Sequence, residues 1–265
     1  MGSYEKLLEL MRLKGSVLVA FSGGVDSTLV ALAAREALGD KCSIVMFHNE
    51  TIPQRELEDA NKVSAEIGLP LKVIDDPVLG IEEIVENPVD RCGVCKHHLM
   101  SKLVSMAKKE GLAFVADGSN ADDVLDYRPG LRAADQLGIW HPLMEAGIGK
   151  DEARAILKKK GISIHDKPST TCLMTRIPYG ERVTEEKMRL IDRVEGTLSD
   201  LGFRDIRLRL FERTGGGYIG ILEVDDPRAA LEAWDSIKDA SKDVRMVLDP
   251  AGYRQGSMNS GVVPP

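Results

Sequence analysis

The sequence predicts an α/β protein, a doubly wound parallel sheet followed by a smaller C-terminal α/β domain, and three observations carry that prediction. Short apolar runs (Val17 to Phe21, Ile44 to Phe47, Leu71 to Ile74, Ala113 to Ala116) alternate with longer helix-prone stretches, the pattern of parallel strands joined by crossover helices. The hexapeptide Ser22-Gly23-Gly24-Val25-Asp26-Ser27 sits between the first apolar run and a helix-prone run from Thr28 to Leu38, which reads as strand, glycine loop, helix. After Gly180 the composition shifts to an amphipathic stretch and a second, strand-rich pattern.

Taken in order, residues 4–14 form an amphipathic helix with Leu7, Leu8, Leu10 and Met11 on its apolar stripe and Ser3 as its cap. Strand 16–21, the glycine loop and helix 27–38 make the first βα unit. Strand 43–48 and helix 53–67 make the second, ended by Gly68-Leu69-Pro70, and Leu71 to Ile74 is a third strand. Ligands of such sheets collect beyond the carboxyl ends of the strands, where the glycine loop lies. Glycines and hydroxyls at a helix N-terminus point backbone N–H groups outward with the helix dipole behind them, which suits a phosphate or pyrophosphate. The loop is not a Walker A sequence, because no Gly-Lys-Ser/Thr follows and the lysine that reaches the outer phosphates is missing. The end of the second strand falls beside the loop, so the backbone at Phe47 and Asn49 is expected to seat an adenine ring. His48 between them reads as a packed or solvent-facing residue.

Asn87 to Lys96 is a turn opening into a helix, with Cys92 and Cys95 as a C-x-x-C pair on its first turn. Of the other two cysteines, Cys42 reads as a buried or edge thiol. In a cytosolic protein this spacing points to metal or redox chemistry, and the helix N-terminus with Arg91 and Lys96 is expected to lower the thiol pKa values. Zinc would want four ligands, yet His97 and His98 lie downstream on the same helix. An iron–sulfur cluster on three cysteines needs one more, distant thiolate, for which Cys172 is the candidate. After the strand ending at Ala116, the run Asp117-Gly118-Ser119-Asn120-Ala121-Asp122-Asp123 would hold Mg²⁺ against nucleotide phosphates, or cap the following helix. Arg128 and Arg132 follow, and suggest contacts with a triphosphate or an anionic substrate. A helix from Lys150 to Lys160 ends in a solvated lysine run.

Residues 1–166 thus form the first domain, 167–182 a connecting segment and 183–265 the C-terminal domain. The connecting segment is too rich in hydroxyls to be a mere linker. Its Cys172, between Lys167 and Arg176, reads as a nucleophile or a ligand. The C-terminal domain opens with an amphipathic helix over 183–200. In the strand Asp205 to Leu210, alternation puts Ile206, Leu208 and Leu210 on one face and Arg207 and Arg209 on the other, where exposed arginines would either discourage edge pairing or meet a ligand. A glycine hairpin at 214–217, a helix from Asp225 to about 238 and a strand over 244–248 complete the unit, and the end, 261–265, reads as frayed.

The chain of 265 residues is 43% hydrophobic and 29% charged with a net charge of −7, which is ordinary for a globular protein and argues against a broad nucleic-acid-binding face. It has no apolar run of about 18 residues and no basic-then-apolar N-terminus, so the expectation is a cytoplasmic protein without a membrane span.

Five stretches together resemble the LarE sulfur transferases: the loop Ser22 to Ser27; Asp117 to Asp123; Tyr127 to Ala134; Lys167-Pro168 with Cys172 and Arg176 to Gly180; and the tail Leu248 to Asn259. These proteins have the PP-loop ATP pyrophosphatase fold, adenine nucleotide alpha-hydrolase-like, and act in making the nickel-pincer nucleotide cofactor of lactate racemase. The resemblance covers nearly the whole chain. It implies that ATP adenylates a carboxylate of pyridinium-3,5-biscarboxylic acid mononucleotide and that sulfur then displaces AMP to give a thiocarboxylate. The implied roles put Ser22, Gly23, Gly24 and Ser27 on the phosphates and Asp26 and Asp122 at the Mg²⁺–pyrophosphate end. Asp117, Gly118 and Asn120 lie around the nucleotide, Arg176 beside the reacting thiol, and Arg207, with Arg209 and Arg254, on the mononucleotide phosphate. In one branch of the family the cysteine matching Cys172 gives up its sulfur and is left as dehydroalanine. Cys92, Cys95 and Cys172 together resemble the other branch, in which a [4Fe-4S] cluster holds an exchangeable sulfide. Implied partners are the small nucleotide substrate, inorganic sulfide or a sulfur-donor protein, the other enzymes of cofactor synthesis, and further copies of the chain in a homo-oligomer. Rival readings are a tRNA thiolase, which would need a basic face; amide formation as in NAD or GMP synthesis, which needs no cysteine; and a module that senses ATP or iron.

Overall fold

The structure, a computed structural model, describes residues 2–125, 129–242 and 244–254. The chain divides into two compact units. The first comprises the residues up to Asn49, Arg55–Asp76 and Asp90–Ser169. The second comprises Glu50–Gln54, Pro77–Val89 and the chain from Thr170 onward.

In the first unit α1 (Ser3–Lys14), β1 (Val17–Ala20), α2 (Val25–Leu38), β2 (Cys42–His48), α3 (Gln54–Glu66) and β3 (Leu71–Asp75) follow one another. After α4 (Glu82–Val85), which belongs to the second unit, come α5 (Arg91–Glu110), β4 (Phe114–Ala116), α6 (Pro129–Gln136), α7 (Pro142–Ala146) and α8 (Lys150–Lys159). The four strands form a parallel sheet in the order β3-β2-β1-β4. Val17, Leu18 and Val19 of the inner strand β1 are fully buried, as expected of a parallel strand covered on both faces. Leu18 packs with Val45, Phe47, Met100, Leu103 and Val115 on the face covered by α5 and α6. Val17 and Val19, one residue out of phase, face the opposite side.

Two local expectations need correction. Gly2, not Ser3, is the N-cap of α1; Ser3 is the first helical residue, and its hydroxyl donates to Glu152 of α8. Helices α6 and α7 were not foreseen. Each opens on a proline, whose fixed φ suits the first helical turn.

The second unit holds a three-stranded sheet of β5 (Ile206–Glu212), β6 (Tyr218–Val224) and β7 (Val244–Leu248), antiparallel between β5 and β6 and parallel between β6 and β7. Helix α9 (Glu185–Asp200) packs on β5 and is capped by the Thr184 hydroxyl, which accepts from the Lys187 N–H. The single helix expected after Asp225 is two, α10 (Pro227–Glu232) and α11 (Trp234–Ala240), because Ala233 leaves helical geometry. Ile206, Leu208 and Leu210 are buried as the alternation predicts. Arg207 and Arg209 are buried as well, each 6% exposed, so they are not the solvent-facing edge arginines of the simpler expectation. The face of β5 that carries them is covered by the turn Leu173–Arg176, and Arg209 donates to the Thr175 carbonyl at 3.2 Å. Beyond β7 the chain continues alongside the end of β6, with Asp249 N–H donating to the Leu222 carbonyl and Tyr253 N–H to that of Val224. Among the described residues no helix is long and apolar enough to cross a membrane.

Candidate active site

The glycine loop leaves the carboxyl end of β1, where the Phe21 N–H still donates to the Val45 carbonyl at 2.8 Å. Gly23 has φ +69°, and a Cβ there would lie 2.8 Å from the backbone of Ala60 on α3. On the other side a Cβ on Gly118 would lie 2.8 Å from the Ser27 nitrogen. The loop is therefore held between α3 and the end of β4 at backbone-to-backbone distance, which only glycine permits. The Ser22 and Ser27 hydroxyls are 3.0 Å apart, and Ser27 Oγ also donates to the Gly24 carbonyl at 3.2 Å. With Gly24 as N-cap, α2 presents the orphan N–H groups of its first turn to the loop.

Asp26 stands in that first turn. Its Oδ1 is buried with no hydrogen-bond partner. Burial raises its carboxyl pKa against the opposing pull of Lys150 and of an Asn120 hydrogen bond, and Asp123 raises it further. Lys150 Nζ lies 3.9 Å from Asp26 Oδ2. An ionised oxygen without a partner at an N–H-rich helix start fits a divalent cation carrying phosphates. Lys150 was read only as the start of a helix, since nothing local in the sequence links it to Asp26.

In the acidic run beyond β4, part of the carboxylate oxygens is taken up by protein partners, and one carboxylate caps a helix, the second of the two uses the sequence offers. Asp117 Oδ2 accepts from Lys96 Nζ at 2.6 Å, and its Oδ1 pairs with His141 Nδ1 at 2.6 Å and accepts from the Ser119 N–H. Burial alone would raise the Asp117 pKa, but the His141 hydrogen bond and the Lys96 charge hold it well below the usual carboxylate range. Asp122 instead caps α8, accepting from the Lys150 N–H at 2.8 Å, and its carboxylate fills the space where Gly149 would carry a Cβ. Asp123 accepts from the Asn120 N–H, and Asn120 Oδ1 accepts from that of Asp122. Among the described residues no three His, Cys, Asp or Glu side chains are grouped as a metal ion would need.

Phe47 and Asn49 are both buried at the end of β2, Phe47 within the core cluster, and the His48 carbonyl between them accepts from the Asp76 N–H. Arg132 is exposed on α6, while Arg128 lies outside the described residues. Cys92 is exposed and Cys95 half-buried on the first turn of α5, whereas Cys42 is buried and its thiol pKa is pushed up by burial. Of the two cations expected to activate the pair, Arg91 is buried and Lys96 is committed to Asp117.

In the second unit Cys172 is exposed and immediately precedes the turn Leu173–Arg176. Arg176 lies beneath the cysteine segment. It is fully buried, its Nε and Nη2 on the two oxygens of Glu195 at 2.9 and 2.7 Å and its Nη1 on the carbonyls of Thr171 and Cys172 and the hydroxyls of Thr171 and Thr175. Glu195 also accepts from the Leu208 N–H, so one buried ion pair ties the cysteine segment to α9 and β5. Arg209 pairs with Glu223 at 3.0 Å, and the Arg207 guanidinium lies 5.0 Å over the Tyr253 ring, its pKa lowered by burial and by Arg176. The tail thus meets Arg207 through Tyr253, while Arg254 itself turns to Asp249 at 3.2 Å.

Residues 5–108 match the NAD synthase family. An uncharacterized protein of Synechocystis sp. is 39% identical over 192 residues, 72% of each chain. The pyridinium-3,5-bisthiocarboxylic acid mononucleotide synthase of Lactiplantibacillus plantarum is 31% identical over 251 residues, covering 92% of this chain and 88% of that one. The chain belongs to that synthase family. It is an ATP-using sulfurtransferase with a PP-loop domain, and this family's use of ATP with Mg²⁺ agrees with the unsatisfied Asp26 oxygen. A more distant likeness, 23% over 222 residues, is to the tRNA-specific 2-thiouridylase of Clostridioides difficile, covering 69% of this chain and 62% of that one.

Proposed function

We propose that this chain uses ATP to adenylate a carboxylate of pyridinium-3,5-biscarboxylic acid mononucleotide and replaces the AMP with sulfur, giving a thiocarboxylate on the route to the nickel-pincer nucleotide of lactate racemase. The observation that carries this reading is the helix start at the glycine loop beside the partnerless Asp26 oxygen, a receptor for Mg²⁺-bound phosphates. Its support from outside the structure is the relative named for the bisthiocarboxylic product. Ser22, Gly23, Gly24 and Ser27 cradle the phosphates and Asp26 faces Mg²⁺, while the backbone at Phe47 and Asn49 borders the adenine. Gly118 forms the loop's floor, and Asn120 and Asp122 act indirectly through Asp26 and Lys150. Arg207, Arg209 and Arg254 are the cations for the mononucleotide phosphate, with Arg128 and Arg132 as further candidates. The ATP-splitting chemistry belongs to residues 1–166, the thiol to 167–182 and substrate binding and self-association to 183–265, in a cytoplasmic homo-oligomer.

Cys92, Cys95 and Cys172 are the residues that would hold a [4Fe-4S] cluster. Cys92 and Cys95 stand three apart on one helix face, and all three carry thiols. Bound there, such a cluster supplies a sulfide that inorganic sulfide or a donor protein can replace. A second reading has one observation in its favour: Cys172 is exposed at the head of a turn tied down from beneath, so its own sulfur is open to reaction. Anaerobic purification followed by iron and sulfide analysis separates the two. A brown protein with about four irons per chain supports the cluster, and a colourless, iron-free protein that loses the Cys172 sulfur during one round supports the sacrificial thiol. Release of pyrophosphate without any thiocarboxylate in the presence of the mononucleotide and a sulfur source contradicts both.

A further inference from the structure

A relay of charged side chains that the chemistry above leaves unused crosses the first unit next to the loop. Asp135 Oδ1 on α6 lies 3.1 Å from His141 Nε2, His141 Nδ1 lies 2.6 Å from Asp117 Oδ1, and Asp117 Oδ2 lies 2.6 Å from Lys96 Nζ on α5. Its centre is dry and its ends are wet: the Asp117 and His141 side chains are 6% and 11% exposed, those of Lys96 and Asp135 27% and 62%. Asp117 is followed by Gly118, whose backbone lies against the Ser27 nitrogen. The Lys96 ammonium therefore sits one residue from the floor of the loop, where the phosphates of ATP would be.

We propose that His141 is a positioning residue for ATP: with its proton it shares the Asp117 carboxylate with Lys96, and without it leaves Asp117 to Lys96 alone, so that His141 sets how much positive charge Lys96 presents to the phosphates. The inference rests on the reading that ATP occupies the glycine loop. The inner three groups, Asp117, Lys96 and His141, carry one net positive charge when His141 is protonated and none when it is neutral. The groups facing His141 are Asp117 just beyond β4, Asp135 from α6 and Lys96 from α5. Glu145 on the adjoining α7 is taken by the Trp140 indole N–H. Burial and Lys96 favour the neutral ring, but the two carboxylates outweigh them and raise its pKa above the usual value. A unit charge at about 8 Å in an effective dielectric of about 40 changes affinity for a phosphate on the order of five-fold.

The test is the KM for ATP and the kcat of pyrophosphate release from pH 6 to 9, together with the titration of the His141 ring proton by NMR, in the wild type, H141N and D135N. In the wild type, KM should rise about five-fold as pH passes through the His141 pKa, with kcat little changed. Asparagine still donates to Asp117 but cannot be charged, so H141N should show the high KM at every pH. D135N removes the outer anion and should move both the KM transition and the ring titration to lower pH while leaving the plateaus in place. A merely structural histidine, or ionisation of ATP itself, does not produce that shift. The proposal is overturned if H141N keeps the wild-type pH dependence of KM or if D135N leaves the midpoint unmoved. If H141N does not fold, D135N still decides, because Asp135 is exposed. A wild type that releases no pyrophosphate would overturn the function proposed above, and a ring titration that D135N does not move would overturn the relay.

Discussion

Two buried charges, one in each unit, are treated in opposite ways. Around the glycine loop of the first, an aspartate oxygen is buried with nothing to bond, its pKa raised. Beneath Cys172 in the second, the Arg176 guanidinium is saturated by Glu195 and by the carbonyls and hydroxyls of the segment it supports. A site that receives a ligand holds polar groups in reserve for it. A site that presents a reactive atom on an irregular segment fixes that segment with everything it has. The first arrangement costs stability in the empty protein, and the second supplies it.

The largest test of this contrast is Arg176→Ala. It leaves Glu195 buried without its cation and should cost about 3–5 kcal/mol, read as a lower denaturant midpoint and loss of hydrogen-exchange protection in α9 and β5. Arg176→Lys should not restore it, because a single ammonium cannot span two carboxylate oxygens and the Thr171 and Cys172 carbonyls at once. Next in size is Gly118→Ala, whose Cβ would lie 2.8 Å from the Ser27 nitrogen. Forcing the loop off its floor should cost about 1–3 kcal/mol and depress pyrophosphate release far more than that loss of stability explains. Asp226→Ala removes the cap that accepts from the Arg228 and Ala229 N–H groups and should cost about 1 kcal/mol, with activity retained.

The smallest expected effect has the opposite sign. Because the Asp26 pKa is raised in the folded state, the folded protein binds more protons than the unfolded chain between the ordinary value of 3.8 and the raised one. The ionised carboxylate therefore lowers stability at all pH values above that window. Asp26→Asn should leave the thermal midpoint unchanged or raise it near neutral pH, while abolishing pyrophosphate release. A clear drop in midpoint would show that Asp26 is a structural anion like Glu195.

What the sequence revealed follows the same division. The loop, the parallel strands and the alternation in β5 are local patterns, and Ser22 to Ser27 fall where the pattern places them. Periodicity showed that Arg207 and Arg209 share a face but not that the turn Leu173–Arg176 covers it, since that contact joins segments far apart in the chain. The composition of the acidic run 117–123 is visible in the sequence and its partners are not: Lys96, His141 and Lys150 come from other elements. Arg176 is a parallel case. A positive charge near a cysteine is legible, but its burial against Glu195 is a property of the fold.

The central claim is that ATP activation and sulfur delivery are separate duties, the first held by the loop and Asp26 and the second by Cys172. Its most direct test is Cys172→Ala assayed with ATP, Mg²⁺, the dicarboxylate mononucleotide and a sulfur source, following pyrophosphate and thiocarboxylate in the same tube. The account predicts that pyrophosphate release stays within a few-fold of the wild type and that no thiocarboxylate forms. Thiocarboxylate formed at the wild-type rate would contradict it.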